Sequence, residues 1–108
     1  MAYEEFKVVR ENLSRADVAL LVLSGAINVK TFDQLESAIQ DLFSSGTHRI
    51  VLDVSSVKYV SSAGAGVIMN AFLQAQEGGG KLVLIRLSPG VRDVMELLNL
   101  QNVIPMAD

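Results

Sequence analysis

The sequence predicts a single α/β domain: a mixed, mostly parallel sheet of four to five strands carrying three or four helices. Two observations point there. Short apolar runs, at Val18–Leu23, Ile50–Val54 and within Lys81–Leu87, alternate with longer segments whose apolar residues recur at helical spacing. Gly or Pro marks most of the changeovers, at Gly25, Gly46, Gly78–Gly80 and Pro89. Strands that alternate with helices imply parallel pairing through right-handed crossovers.

The elements follow in order. Phe6–Arg10 has the β-branched residues of a short edge strand. Glu11–Ala16 is polar and reads as a turn, so Phe6–Arg10 and Val18–Leu23 form a hairpin with a loop of about five residues. Val18–Leu23 is apolar throughout, as expected of a strand buried on both faces. From Thr31 onward, Phe32, Leu35, Ala38, Ile39, Leu42 and Phe43 mark one face of a helix that stops at Gly46. Ile50–Val54 is a buried strand. Ser62–Gln76 is a second helix, with Val67, Ile68, Ala71, Phe72 and Ala75 on its inner side. The triple glycine ends it, and a third buried strand lies within Lys81–Leu87. Ser88-Pro89 opens a short helix, since proline suits a first turn. Asn102–Ile104 is a last short strand before Pro105. One domain from Tyr3 to Ile104 accounts for the chain.

Composition narrows the chemistry. With 108 residues, half of them apolar, the chain can bury about two thirds of its unfolded surface and fold without a metal or a disulfide. Nine basic against twelve acidic residues argue against a nucleic-acid-binding surface. The absence of Cys excludes thiolate catalysis and Cys-based metal sites, and a lone His48 excludes a histidine cluster. The start of the chain is not a basic segment followed by an apolar run, and no apolar run approaches the ~20 residues of a membrane span. The expectation is a cytoplasmic protein without cofactor.

One segment stands out: Ser61-Ser62-Ala63-Gly64-Ala65-Gly66, where a helix opens after a buried strand and a short polar connection. Serine is a good N-cap because its hydroxyl accepts from a first-turn N–H. Two glycines each cost about 1 kcal/mol of helix propensity relative to Ala. They keep the first turn thin, so that another backbone or molecule can approach closely. Three readings fit: capping with close packing, an anion or nucleotide site at a helix N-terminus, or a phosphorylatable serine on a docking surface. The nucleotide reading lacks both the full dinucleotide fingerprint and the lysine of a phosphate-binding loop.

The segment resembles the core motif of the STAS domain family, the anti-sigma-factor antagonists, which reads roughly Asp-Ser-Ser/Thr-Gly-Leu-Gly. Aligning the glycines places Ser62 on the family's phosphorylated serine, Ser61 on its aspartate, Ala63 on its second Ser/Thr and Ala65 on its leucine. Leu23-Ser24-Gly25-Ala26-Ile27-Asn28 is similar to the family's Leu-x-Gly-Glu-Leu-Asp, with Asn28 in place of the aspartate. Ile50–Asp53, Gly79–Leu82 and Leu87–Val91 match in order, so the resemblance covers about Phe6 to Ile104.

The resemblance implies a STAS-like domain that is not an enzyme. It binds an anti-sigma factor that is also a serine kinase and displaces the sigma factor. Phosphorylation of the serine, here Ser62 with Ser61 as the alternative acceptor, ends the interaction, and a serine phosphatase restores it. The expected docking surface comprises Asn28, Ser61, Ser62, Ala65, Gly66, Met69 and Ser88, which follow the carboxyl ends of the strands. The rival reading is a non-phosphorylated STAS subunit of a transport or larger signalling complex. Ser61 in the aspartate position suits that reading. A direct nucleotide binder is the third.

Other residues read as structural. His48 is a solvated loop residue. Asp53, late in a buried strand, is satisfied by nearby loop N–H groups. Met69, Met95 and Met106 fill core or surface, and Gly78–Gly80 is a helix stop followed by a strand.

Overall fold

Leu21, Leu52 and Leu84 sit side by side on three adjacent parallel strands and are all buried. One register step away, Ala19, Ile50 and Leu82 repeat the arrangement. These two rows floor the hydrophobic core. In the computed structural model, which describes residues 6–11, 13–15 and 17–107, the elements are β1 (Lys7–Glu11), β2 (Val18–Ile27), α1 (Phe32–Ser44), β3 (Arg49–Val60), α2 (Ser62–Glu77), β4 (Lys81–Ile85), α3 (Pro89–Leu97), a 3-10 turn (Leu100–Asn102) and β5 (Met106–Ala107). The domain start at Tyr3, and Asn12 and Ala16 of the hairpin connection, lie outside the described residues.

The five strands lie in the order of the chain, β1-β2-β3-β4-β5. β1 pairs antiparallel with β2, and the other pairs are parallel. Because every right-handed crossover moves in one direction across the sheet, the helices gather on one face. Leu35 and Ile39 of α1, Ala71 and Phe72 of α2, and Val91 and Met95 of α3 join the buried rows there. The opposite face carries Leu20, Val22, Val51, Val83 and Ile85, each only half-buried. This corrects the expectation that β2 is buried on both faces: its burial alternates, and only Ala19, Leu21, Leu23, Gly25 and Ile27 are inside.

Three boundaries differ from the sequence reading. β2 continues past Leu23 to Ile27, and β3 continues past Val54 to Val60. Ser55–Val60 is therefore strand, not connection. Its register against β2 shifts twice, between Val22 and Ser24 and between Gly25 and Ala26; at the first shift Asp53 Oδ1 accepts the Ser55 N–H at 3.0 Å. That bond matches the structural role read for Asp53, and Arg86 on the neighbouring strand end adds an ion pair at 3.8 Å. Across the two shifts, Val54, Val57 and Val60 are buried three residues apart, which hides the two-residue period of a strand. The last strand lies after Pro105, not before it. Asn102 closes a 3-10 turn, while Leu84 N–H donates to the Pro105 carbonyl and Arg86 N–H to that of Ala107.

His48 is not a free loop side chain. Its ring stacks on Phe43 with centroids 5.1 Å apart, and it packs against the turn Gly78–Gly80. Lys81 N–H donates to the His48 carbonyl at 2.9 Å, which draws that turn onto the start of β3. A Cβ at Gly80 would lie 1.9 Å from the His48 carbonyl oxygen, a backbone atom that cannot swing aside. Gly80→Ala is therefore expected to destabilise the domain by about 1–3 kcal/mol, the usual range for overpacking. At roughly 4–8 °C per kcal/mol for a domain of this size, the fall is readable in a thermal melt. A melting curve superimposable on the parent's would count against this packing.

Candidate functional site

At the carboxyl edge of the sheet, β3 turns into α2 through a single residue. Ser61 is extended (φ −80°, ψ 171°), its N–H donates to the Ile27 carbonyl at 2.8 Å, and its hydroxyl accepts the Gly64 N–H at 3.1 Å. The end of β2 and the first turn of α2 are thus joined. Gly64 makes the approach feasible: a Cβ there would lie 2.6 Å from Ile27 Cγ2 and 3.0 Å from the Ile27 oxygen. The thin first turn serves contact within the chain at this position. Gly66 differs, because a Cβ there would meet nothing within 4 Å.

The two candidate acceptors have different surroundings. Ser61 is half-buried and its hydroxyl is the helix cap. Ser62, the first residue of α2, is exposed, and its hydroxyl has no hydrogen-bond partner among the described residues. Of the predicted docking residues, Gly66 is exposed, and Asn28, Met69 and Ser88 are half-buried. Ala65 does not belong to that surface. It lies inside the core at 1% exposure, because the position three residues after Ser62 faces the sheet.

Asn28 and Ser88 shape the frame. Asn28 Oδ1 accepts the Lys30 N–H at 2.8 Å, and the Asn28 carbonyl accepts the N–H groups of Thr31 and Phe32. The loop into α1 is fixed by acceptors that an amide supplies as well as a carboxylate does. Thr31 closes the loop by donating its hydroxyl to the Ala26 carbonyl at 2.7 Å. Ser88 caps α3 through Val91 N–H and donates its own hydroxyl to the Val57 carbonyl at 2.6 Å, tying α3 to the extended part of β3.

Two apolar residues complete this edge and were missed in the sequence. Val29 is 70% exposed and Tyr59 54% exposed. Val29 lies two residues beyond Ile27, and Tyr59 lies two residues before Ser61. For Val29 the signal was a single apolar side chain in a polar connection, Asn28-Val29-Lys30; for Tyr59, inside the Val57–Val60 run of β3, the sequence carried none. The edge holds hydroxyls, an amide and apolar groups. Among the described residues no group of three His, Asp or Glu could hold a metal ion.

A five-stranded mixed sheet with its helices on one face, and a serine-capped helix start at its carboxyl edge, is the architecture of a STAS domain. The chain belongs to that family: the family model described as "Mlab, STAS domain" matches residues 11–105. It is 35% identical to BtrV, a proposed anti-sigma factor antagonist of Bordetella bronchiseptica, over 80% of this chain and 74% of that one. The crystal structure of a proposed anti-sigma factor antagonist of Thermotoga maritima superposes with a TM-score of 0.80 at 25% identity, covering 96% of this chain and 85% of that one. SpoIIAA of Bacillus shares the fold at lower identity. Its unphosphorylated form gives a TM-score of 0.77 at 18% identity, covering 96% and 89% of the two chains. Its phosphorylated form gives 0.71 at 17%, covering 96% and 92%.

The two motif glycines make opposite predictions. Gly64→Ala should lose about 1–3 kcal/mol through its collision with Ile27. Gly66→Ala should gain up to about 1 kcal/mol, since the methyl meets open space and helix propensity improves. Urea unfolding of the two variants checks this, and a loss for both would place Gly66 inside the packing.

Proposed function

We propose that this chain is an anti-sigma-factor antagonist. It binds an anti-sigma factor that is also a serine kinase, and phosphorylation of Ser62 ends the interaction until a serine phosphatase removes the phosphate. The chain catalyses nothing itself, uses no cofactor, contacts no nucleic acid directly and works in the cytoplasm. The observation that carries the reading is Ser62: an exposed, unpartnered hydroxyl at the start of α2, on the edge where Val29 and Tyr59 expose apolar side chains. Its neighbour Ser61 is occupied as the cap, which favours Ser62 as the acceptor. That SpoIIAA is known in both forms supports a switch that leaves the fold in place.

The physics of the switch is local. A phosphate adds about −1.5 to −2 charges at pH 7. At the N-terminus of α2 the helix dipole favours that charge by about 0.3–1 kcal/mol. A partner packed over the same turn would bury an unpaired dianion, at a cost of several kcal/mol. The docking surface comprises Asn28, Val29, Tyr59, Ser61, Ser62, Gly66 and Met69, with Ser88 holding α3 beside it.

A second reading has its own observation. No acidic residue stands in the first turn of α2, and the side chains that replace the two family aspartates, Ser61 and Asn28, are engaged within the fold. A non-phosphorylated STAS subunit of a transport or signalling complex needs no kinase-recognition carboxylates. No described helix is long and apolar enough to cross a membrane, so in that role the chain would attach to a membrane assembly through a partner.

A Ser62→Asp variant is expected to keep the parent's circular-dichroism spectrum and to lose the anti-sigma factor in a pull-down. Phosphopeptide mapping after incubation with that kinase and ATP should find the label on Ser62. Undiminished binding by Ser62→Asp, or a label on Ser61 alone, would overturn the switch. Co-purification with a membrane ATPase in place of a kinase would establish the second reading.

A further inference from the structure

Below the Ser62 edge, α1 and α2 run side by side and leave a groove of about 280 Å³ between them. Ile39, Val67 and Ala71 form an apolar floor, each no more than 6% exposed. Leu73 stands on the rim and is 42% exposed. Glu36 lines the groove from α1 and Glu77 from α2. A hydrogen bond between two exposed amides crosses it, from Gln40 Nε2 to Gln74 Oε1 at 2.6 Å. Such a bond exchanges for bonds to a visiting chain at little net cost.

The charge of this layer is one-sided. Every charged residue on α1 and α2 is acidic: Asp33, Glu36, Asp41 and Glu77. None of the nine Lys and Arg residues lies on either helix. A surface of one sign selects a partner of the other and raises the rate of encounter with it. The groove is also continuous with the proposed docking edge, since Ser62, Gly66, Met69, Leu73 and Glu77 fall three to four residues apart along one stripe of α2.

From the apolar floor, the acidic walls and this continuity, we infer that the α1–α2 groove is a second contact site, which receives a basic amphipathic segment of the protein partner. The inference rests on the proposed function for the identity of that partner. An apolar side chain of the segment sits on Ile39, Val67 and Ala71, and Lys or Arg residues to either side face Glu36 and Glu77. Ser62 lies at the far end of α2 from Glu77, about 22 Å away at 1.5 Å per residue. The charge contact at the Glu77 end of the groove is therefore separable from the switch.

The test uses the full chain and two synthetic 14-residue helical peptides with the same leucine stripe, one carrying Lys on its polar face and the other Glu. In NMR titrations of the labelled protein, the Lys peptide should shift amides around Ile39, Val67, Ala71 and Leu73, and the Glu peptide should not. Glu36→Gln with Glu77→Gln should weaken the Lys peptide about tenfold at low salt and flatten its salt dependence. Both residues are exposed, so the fold is expected to persist, and the parent's amide spectrum serves as the check. Leu73→Asp should weaken it as well. Ser62→Asp should leave it unchanged. Equal binding of the two peptides, shifts confined to another face, or a neutralised variant that binds like the parent overturns the inference. If the parent captures its anti-sigma factor but neither peptide enters the groove, the groove falls and the proposed function stands. If the Lys peptide binds while Ser62→Asp still holds the anti-sigma factor, the switch falls and the groove stands.

Discussion

The contact between the end of β2 and the start of α2 organises the edge that matters. Ser61 N–H reaches the Ile27 carbonyl at 2.8 Å, and Gly64 lies where any larger residue would strike Ile27. With that contact in place, the helix begins at one height, and Ser62 comes out at the rim with its hydroxyl toward solvent. Remove the close approach and α2 rises from the sheet, the cap at Ser61 loses its geometry, and Val67, Ile68 and Ala71 lose their fit on the strands. A glycine in a helix is normally a defect of about 1 kcal/mol. Here the defect at Gly64 is offset by the packing it permits, while the one at Gly66 has no packing to offset it. That second, uncompensated glycine is the better pointer to function, because it leaves the exposed side of the first turn bare.

The polar side chains around this edge divide into two kinds. Ser61, Asn28, Thr31 and Ser88 are all used by the frame: one caps α2, two close the loop into α1, and one ties α3 to β3. Ser62 is used by nothing in the described chain. Replacing the family's aspartates by Ser61 and Asn28 keeps the hydrogen bonds that the frame needs, because an acceptor oxygen suffices for each. What differs from the aspartates that the family resemblance places there is the charge alone. The substitutions are therefore silent for the fold and bear only on whatever approaches the edge.

Much of the fold was legible because its signals are local. The helical periods of α1 and α2, the serine-proline start of α3 and the glycine stops depend on neighbouring residues alone, and the structure bears them out. The far half of β3 was not legible, since two register shifts, one at Asp53–Ser56 and one at Val57–Tyr59, leave Val54, Val57 and Val60 buried three residues apart, and only pairing with Ser24–Ile27 makes that segment a strand. β5 was displaced for a similar reason: two residues carry no period, and what defines them is the hydrogen bond from Leu84 and Arg86 across the sheet. Ser62 and Gly66 could be read from the motif. Ala65 could not be sorted from them, because a motif states identity and spacing, and the inward turn of that residue follows from where α2 sits on the sheet. Val29 and Tyr59 needed the edge itself to bring them together.

The strand order also bears on which class of ligand this edge suits. Open α/β sheets bind nucleotides in the crevice where the strand order reverses and successive helices leave for opposite faces. Here the strands follow one another without reversal, and the helices share a face. The order therefore has no reversal between β2 and β3. The loops at the carboxyl edge instead converge on a thin helix start with apolar groups to either side. A small molecule needs enclosure to bury most of its surface. A protein partner needs breadth, a few exposed apolar anchors and polar groups around them. A strand order without reversal, and an exposed edge that carries Val29 and Tyr59, suit the second kind of ligand better than the first.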